Sequence, residues 1–197
     1  MLILAEFLLP GMSPKTKICL MKAFAGESQA RNKYTYFASV AKKEGYEQIT
    51  AIFLETADNE KEHAKRLFSL LGKDKIEITA EFPSGIGDTQ TNLKSAAEGE
   101  KYEWGTMYPD FEKIAKKESE KEAAELFHEL AQVEAEHEKR YLKLLKNVKE
   151  GKVFKKDKVI KWHCRNCGYV HEGKEAPMQC PACKHPQAYY ELLAENY

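Results

Sequence analysis

Two copies of a Glu-x-x-His motif lie on the apolar faces of helical stretches, at positions where leucine or phenylalanine would be expected. Glu60 and His63 form one copy, and Glu134 and His137 form the other. Steps of three and four residues keep these side chains on the buried face of a helix. An ionised carboxylate in a protein core costs several kcal/mol unless a positive charge meets it. The chain must therefore fold so that cations reach these acids.

The hydrophobic period predicts four long helices, at about residues 15–44, 46–71, 91–118 and 119–148. Gly45 and Gly72 follow the first two helices as typical helix-ending residues, and Pro109 predicts a kink in the third. Short turns make each neighbouring pair an antiparallel hairpin. The segment between the hairpins could reach ~60 Å when extended, against ~40 Å for a helix of about 26 residues. We therefore predict a mainly α protein with a ferritin-like four-helix bundle and one long crossover.

Three further acids interrupt apolar stripes, namely Glu27 in the first helix and Glu100 and Glu103 in the third. All seven acid and histidine positions lie 15 to 19 residues from the turn of their own hairpin, counted from Gly45 or Ser119. Equal distances from the turn mean equal height in an antiparallel hairpin, so the seven side chains should share one layer. No Lys or Arg occupies these stripes to neutralise the acids, apart from Arg31 at the edge of the first.

This pattern predicts a pair of divalent or trivalent cations inside the bundle. One Glu-x-x-His on a charged helix usually marks a solvated face, but two on apolar stripes with matching acids favour metal binding. The set is that of di-iron and di-manganese carboxylate bundles, and its oxygen ligands suit iron or manganese. Glu103 has no counterpart in the first helix, where Ala30 takes its place. One metal could then exchange His63 for Glu103 as its charge changes.

Four of the five cysteines form the spacing C-x2-C-x12-C-x2-C near the C-terminus, at Cys164, Cys167, Cys180 and Cys183. This spacing predicts a tetrahedral site with four thiolate ligands. The ligands fit zinc or a single iron equally well, and only the neighbouring redox bundle favours iron. The expected domains are a bundle over residues 15–148, a linker over 149–158 and a four-cysteine domain over 159–197.

Composition excludes some classes of partner. Lys and Arg together number 31, as do Asp and Glu, so the net charge of zero gives no support for a nucleic-acid partner or an anionic membrane surface. No apolar run approaches the ~20 residues of a membrane span. The apolar segment 1–10 contains Glu6 and lacks a basic start, so it matches a signal peptide poorly. The expected location is the cytoplasm.

Four segments closely resemble the rubrerythrin family: FAGESQARNKY (24–34), ETADNEKEHAKRLF (55–68), MYPDF (107–111) and WHCRNCGYVHEG (162–173). The resemblance implies a rubredoxin-like C-terminal domain and a homodimer that reduces hydrogen peroxide to water as a defence against oxidative stress. It further implies electrons from rubredoxin or an NAD(P)H-linked rubredoxin-type reductase. Residues 1–14 look foreign to the family, and Lys184 stands where simple rubredoxins carry glycine.

The same resemblance implies a role for each residue of the predicted site. Glu60 and Glu134 would bridge the two irons, and Glu27 and Glu100 would be terminal ligands. His137 would bind the second iron, whereas His63 and Glu103 would alternate on the first. Tyr34 and Tyr108 would hydrogen-bond to the ligands.

Three other functions share parts of this pattern, and one of them, an O2-activating oxygenase, would need an apolar substrate pocket that the sequence does not show. A ferroxidase with iron storage would use the same bundle but has no need of a thiolate-bound iron. A zinc ribbon on a metal-stabilised bundle could instead bind a partner without catalysis. Metal analysis separates the zinc ribbon, which predicts zinc at the four-cysteine site, from the other functions, whereas assembly into a large cage would support the ferroxidase.

Overall fold

The computed structural model describes residues 12–73 and 75–196. The predicted N-terminal extension thus lies outside the described residues, except for its last three positions. The helical part comprises five α-helices and one π-helical turn. Their bounds are Pro14–Lys43 (α1), Glu47–Leu70 (α2), Thr89–Tyr102 (α3), Glu103–Met107 (π-turn), Tyr108–Lys117 (α4) and Lys121–Lys149 (α5).

The helix ends follow local sequence signals. Pro14 stands in the first turn of α1, where its missing N–H costs no hydrogen bond. Gly45 adopts a φ of +81° in the turn between α1 and α2, a conformation that glycine reaches without strain. The Asp88 carboxylate accepts a 2.8 Å hydrogen bond from the Thr91 N–H and caps α3. These signals fix where the first hairpin begins and turns and where the second begins.

The helices form two antiparallel hairpins, α1 with α2, and α3–π-turn–α4 with α5. Residues 71–88 connect the hairpins and form the long crossover. The predicted ferritin-like arrangement is confirmed, and each of the four predicted helices corresponds to one long helical segment.

The third predicted helix differs in one respect, because the π-turn divides it. The Tyr108 N–H bonds to the carbonyl of Glu103, five residues back, instead of four. The break begins before Pro109, where the sequence predicted only a kink. Proline has no N–H to donate, so the helical ladder is already incomplete at this position.

The bundle core consists of two apolar clusters on either side of the acidic residues. One cluster, toward the α1–α2 turn, includes Tyr34, Phe37, Phe53, Leu93 and Tyr141. The other, toward the α4–α5 turn, includes Leu20, Leu67, Tyr108 and Phe127. The polar layer between them is therefore closed off from solvent at both ends.

The C-terminal region forms a small antiparallel sheet of strand order β2-β1-β3. The strands are Lys155–Cys164 (β1), Val170–Glu175 (β2) and Tyr190–Leu192 (β3). Strand β1 begins inside the segment predicted as linker. A separate core, built around the fully buried Trp162, supports the sheet.

This sheet domain contacts its own bundle at the α1–α2 turn and near the end of α5. The rings of Tyr46 and Phe154 stack with centroids 6.2 Å apart and planes 10° from parallel. Lys156 Nζ donates a 3.3 Å hydrogen bond to Asn147 Oδ1 in α5. Among the described residues, no helix combines the length and apolar character that a membrane crossing requires.

Candidate metal centre

Six of the seven predicted ligands come together as two overlapping groups of four. Within each group, one ligand atom per residue lies within 4.8 Å of all the others. The groups are Glu27, Glu60, His63 and Glu134, and Glu60, Glu100, Glu134 and His137. Because Glu60 and Glu134 belong to both groups, the arrangement offers two adjacent cation positions that share two carboxylates.

The His63 ring nitrogen Nδ1 lies against three carboxylates. It is 2.7 Å from Glu60 Oε2, 3.1 Å from Glu134 Oε1 and 3.7 Å from Glu27 Oε2. None of these approaches has the angles of a hydrogen bond, since His63 Nδ1 has no hydrogen-bond partner among the described residues. The atoms converge on a common point instead of pairing with one another.

His137 repeats this geometry in the second group. Its Nδ1 lies 2.7 Å from Glu134 Oε2 and 3.3 Å from Glu60 Oε1. In the part of the chain that the structure describes, both oxygens of Glu60 and of Glu134 are buried without a hydrogen-bond partner, as is His137 Nδ1. Buried polar atoms almost always have a partner, so this concentration at one point requires an explanation. Cations bound at the two positions would satisfy all of these atoms, and the residues fit them.

The pKa values of these side chains also favour a cation site. Burial raises the pKa of Glu27 and, much more, that of Glu100, and nearby carboxylates such as Glu60 raise both further. Burial would lower the pKa of His137, but the carboxylates of Glu134 and Glu60 outweigh it and raise the pKa to about 9. Without metal, these groups hold protons in place of cations.

Two tyrosines form hydrogen bonds that connect the hairpins, one to Glu100 and one to Glu27. The Tyr34 hydroxyl on α1 donates to Glu100 Oε1 on α3, and the Tyr108 hydroxyl on α4 donates to Glu27 Oε1 on α1. Each hydrogen bond leaves the other carboxylate oxygen for the metal position. Both tyrosines were predicted to hydrogen-bond to ligands, and each contacts one of the predicted ligands in this structure.

Glu103, the seventh predicted ligand, lies beside the two groups but in neither of them. It begins the π-turn and lines a cavity of about 700 Å³ between α1, α3 and the crossover. Burial raises the pKa of its carboxyl well above the usual range, and Glu27, Glu134 and Glu60 add to the rise. The charge of Lys33 opposes it.

Sequence reasoning missed two residues near this site. Arg31, expected at the edge of its stripe, is exposed and bonds to Asn32, whereas Lys33 is 9% exposed and lies between α1 and α3. Trp104, next to Glu103, donates a 2.7 Å hydrogen bond from Nε1 to Glu138, which follows His137. The sequence does not predict such contacts, because Lys33 lies off the apolar stripe and Trp104 lies at a helix break that no pattern marks.

The four cysteines meet in the C-terminal domain and form a separate group of ligand atoms. Cys164 Sγ lies 3.8 Å from Cys183 Sγ, and Cys167 Sγ lies 3.7 Å from Cys180 Sγ. These separations are far beyond a disulfide bond, and all four cysteines are free. The backbone N–H of His185 is the main cause that lowers the pKa of Cys183 to about 6. A metal ligand must be a thiolate of this kind, but burial raises the pKa of Cys164 in the absence of metal.

The two Cys-x-x-Cys turns have matching backbones. The Gly168 N–H bonds to the Cys164 carbonyl, and the Lys184 N–H bonds to the Cys180 carbonyl, both at 2.9 Å. The closing residues have left-handed φ values of +81° and +62°. Lys184 therefore takes the conformation that glycine has in the first turn, and the substitution leaves the four cysteines together.

A ferritin-like bundle with two carboxylate–histidine positions, joined to a rubredoxin-like four-cysteine domain, defines the class of di-metal carboxylate redox proteins. Comparisons with known proteins assign the chain within that class. The rubrerythrin family model matches residues 19–145, and the model of the rubrerythrin, rubredoxin-like domain matches residues 162–191. The chain belongs to the rubrerythrin family.

Individual relatives agree over nearly the whole length. The rubrerythrin of Porphyromonas gingivalis is 59% identical over 184 residues, which cover 93% of this chain and 92% of the relative. That of Nitratidesulfovibrio vulgaris is 53% identical, with 93% and 96% covered. The solved structure of fully reduced, all-ferrous nigerythrin superposes with a TM-score of 0.61 at 34% identity and covers 90% of this chain and 86% of that one.

Because the chain belongs to the rubrerythrin family, its class of cofactor and of reaction is known. Rubrerythrins are oxidoreductases with a di-iron carboxylate–histidine site and a rubredoxin-like four-cysteine site. The clusters described above supply both. The predicted cofactors are thereby confirmed, whereas the role of each ligand stays a prediction.

Proposed function

We propose that this protein reduces hydrogen peroxide to water and protects the cell against oxidative stress. The observation that carries the proposal is the pair of cation positions sharing Glu60 and Glu134, in the same chain as a four-thiolate redox site. Peroxide reduction consumes two electrons at once, and two adjacent irons can supply one each. The four-cysteine site can then return electrons singly, and this use accounts for a domain that a ferroxidase would not need.

The ligands are assigned from the overlap of the two groups. We infer that Glu60 and Glu134 would serve both metal positions, since both their oxygens lack a hydrogen-bond partner among the described residues. Glu27 and Glu100 would each serve one position, because a tyrosine takes one oxygen of each. His63 and His137 would complete the two positions through Nδ1. Glu103 would be the alternative to His63 at the first position.

When bound, the two irons supply electrons and Lewis acidity for cleavage of the peroxide O–O bond. The protein's own groups control the surroundings of that chemistry. Tyr34 and Tyr108 fix the orientation of Glu100 and Glu27, and their hydroxyl protons stay in place because burial raises their pKa values well above the usual range. The two apolar clusters exclude water from both ends of the layer.

The position of the four-cysteine domain bears on how electrons arrive. That domain contacts its own chain at Tyr46, beside Gly45. Glu60 lies 15 residues along α2 from Gly45, which corresponds to ~22 Å at the helical rise. We propose a homodimer in which one copy's four-cysteine domain lies beside the bundle of the other copy. Rubredoxin or an NAD(P)H-linked rubredoxin-type reductase would reduce that domain.

The proposal also covers the cellular location of the protein and the boundaries of its domains. Free cysteines that must stay reduced fit a reducing compartment such as the cytoplasm. We propose a bundle over residues 15–148 and a four-cysteine domain that includes all of β1 and so starts near Lys155, before the predicted boundary at 159.

A Cys167→Ser variant tests the relay. The variant, loaded with iron and reduced in advance, should complete one round of peroxide reduction and then stop under steady-state conditions with a reductase. Ala182→Ser, in the other cysteine turn, is the matched control and should turn over normally. Loss of the single round in Cys167→Ser would contradict the relay role. Wild-type protein that oxidises iron but consumes no peroxide would overturn the proposed function.

A further inference from the structure

The cavity of about 700 Å³ between α1, α3 and the crossover extends to the edge of the metal layer. Its lining includes Glu103, the predicted ligand that stands outside the two groups. It also includes Gly26 and Gly99, which directly precede Glu27 and Glu100 in the chain. The helical segments that present two of the grouped acids therefore form part of the cavity wall.

Close packing does not account for the two glycines. In a helix interior, glycine is the least favourable residue after proline. A Cβ on Gly26 would lie 3.9 Å from the Phe82 ring, and a Cβ on Gly99 would lie 3.6 Å from Lys33 Nζ, both ordinary van der Waals distances. Among the described residues, no backbone atom of another helix would come within 4 Å of either Cβ. Alanine would thus fit at both positions, and its methyl group would occupy space in the cavity.

The metal layer is otherwise well shielded from solvent within the described part of the chain. His63 has the most exposed side chain of the six grouped ligands, at 13%, and that of His137 is 7% exposed. The two apolar clusters cover the ends of the layer. A second cavity, of about 370 Å³ between α1 and α2, has none of the seven predicted ligands in its lining. A molecule that is to reach the layer needs a passage, and the larger cavity leads there.

The polar groups of the lining suit a small molecule that forms hydrogen bonds. Gln29 and Ser95 can each donate and accept, and Lys33 can donate. Hydrogen peroxide is small, carries no charge at neutral pH, and both donates and accepts hydrogen bonds. Phe82 and Pro83 of the crossover add apolar surface to the lining. The crossover thus walls the cavity, and α1 and α3 supply its polar contacts.

We propose that this cavity is the passage by which hydrogen peroxide reaches the metal layer, and that Gly26 and Gly99 keep its inner end open. This role rests on the proposed function, which supplies the reaction that consumes the peroxide. A side chain at either glycine, or a larger one at Ser95, should narrow the passage without replacing any predicted ligand.

Stopped-flow kinetics with full-length, iron-loaded protein test the passage. Azide, a small ligand of ferric iron, is mixed with the oxidised protein, and its association rate, dissociation rate and affinity are measured from the change in absorption. In Gly99→Leu and Ser95→Leu, both rates should fall several-fold while the affinity stays that of wild type, because a narrower passage slows entry and exit alike. Single-turnover oxidation of the reduced variants by hydrogen peroxide should slow by a similar factor.

Gly105→Leu is the matched control for these variants. Gly105 lies on the same hairpin, beside Glu103, but it is exposed and does not line the cavity. A Cβ added there would meet nothing within 4 Å. Its azide and peroxide rates should equal those of wild type.

Unchanged azide association in both cavity variants, at full iron content, would overturn the proposal. So would slower association matched by an equal loss of affinity in both, since the substitutions would then disturb the metal site itself. Slowing of the same size in Gly105→Leu would likewise count against it, because that side chain lies off the cavity. Wild-type protein that binds azide but consumes no peroxide would defeat the proposed function, whereas the azide rates would still decide whether the cavity is the passage to the metals.

Discussion

The imidazole rings of His63 and His137 face each other across the bundle, with centroids 6.1 Å apart and planes 22° from parallel. They come from α2 and α5, the second helix of each hairpin. Each ring directs Nδ1 at the shared carboxylates of Glu60 and Glu134. The two halves of the centre are therefore related by an approximate twofold axis, as the repeat of Glu-x-x-His in the sequence requires.

Metal binding should release protons and strengthen as the pH rises. Burial raises the pKa of the Glu27 and Glu100 carboxyls, and the pKa of His137 is raised to about 9, so all three retain protons at a pH where the free side chains would lose them. A metal ion must displace these protons, which compete better at low pH. Calorimetric titration of metal-free protein with ferrous iron, in buffers of differing ionisation enthalpy, measures both effects. Affinity that does not vary with pH, with no proton release, would contradict the expectation.

Glu100→Gln should stabilise the metal-free protein and weaken metal binding. The raised pKa of Glu100 means that its folded-state contribution is favourable below the ordinary glutamate pKa and is lost as the pH rises through the folded value. Glutamine does not titrate, so the variant does not lose this stability as the pH rises. Its free energy of unfolding should equal that of wild type in acid and exceed it by about 1–3 kcal/mol at higher pH. Denaturant unfolding of metal-free protein across pH measures the difference. Glu98→Gln, an exposed acid on the same helix, is the control and should change stability little.

Lys184→Gly should stabilise the four-cysteine domain. Lys184 adopts a φ of +62°, which costs an ordinary residue about 1–2 kcal/mol and glycine almost nothing. After the added chain entropy of glycine, about 1 kcal/mol of stabilisation should remain. The iron–thiolate absorption band, followed during denaturant unfolding of the full chain, reports on this domain. The reciprocal variant Gly168→Lys should lose a similar amount, and equal midpoints for all three proteins would contradict the argument.

Much of this architecture could be predicted from sequence, because its signals are periodic. Apolar stripes gave the four long helical segments, and Gly45 marked the first hairpin turn. Counting from the turns placed seven predicted ligands in one layer, and six of them lie in the two groups. The position of a residue along the bundle axis depends only on the helical rise. It can therefore be calculated from the number of residues to the turn. The four-cysteine site could also be predicted, because the spacing of its cysteines is a signal within a short stretch of sequence.

What could not be predicted depends on contacts between helices. The π-turn at Glu103–Met107 leaves the surrounding apolar period readable, so the sequence showed only Pro109. Lys33 would be read as part of a solvated face, and only the approach of α3 buries it. The seventh predicted ligand, Glu103, has the expected height but stands to one side, because height does not determine lateral position.

The crossed hydrogen bonds from Tyr34 to Glu100 and from Tyr108 to Glu27 have a consequence for the origin of the fold. Each hairpin contributes the tyrosine that the other hairpin's acid requires, and each supplies one of the two shared carboxylates. A single hairpin of this kind could build the whole centre by pairing with an identical copy of itself. In this chain the two hairpins are joined by the segment 71–88 and differ where one carries Glu103 and the other Ala30.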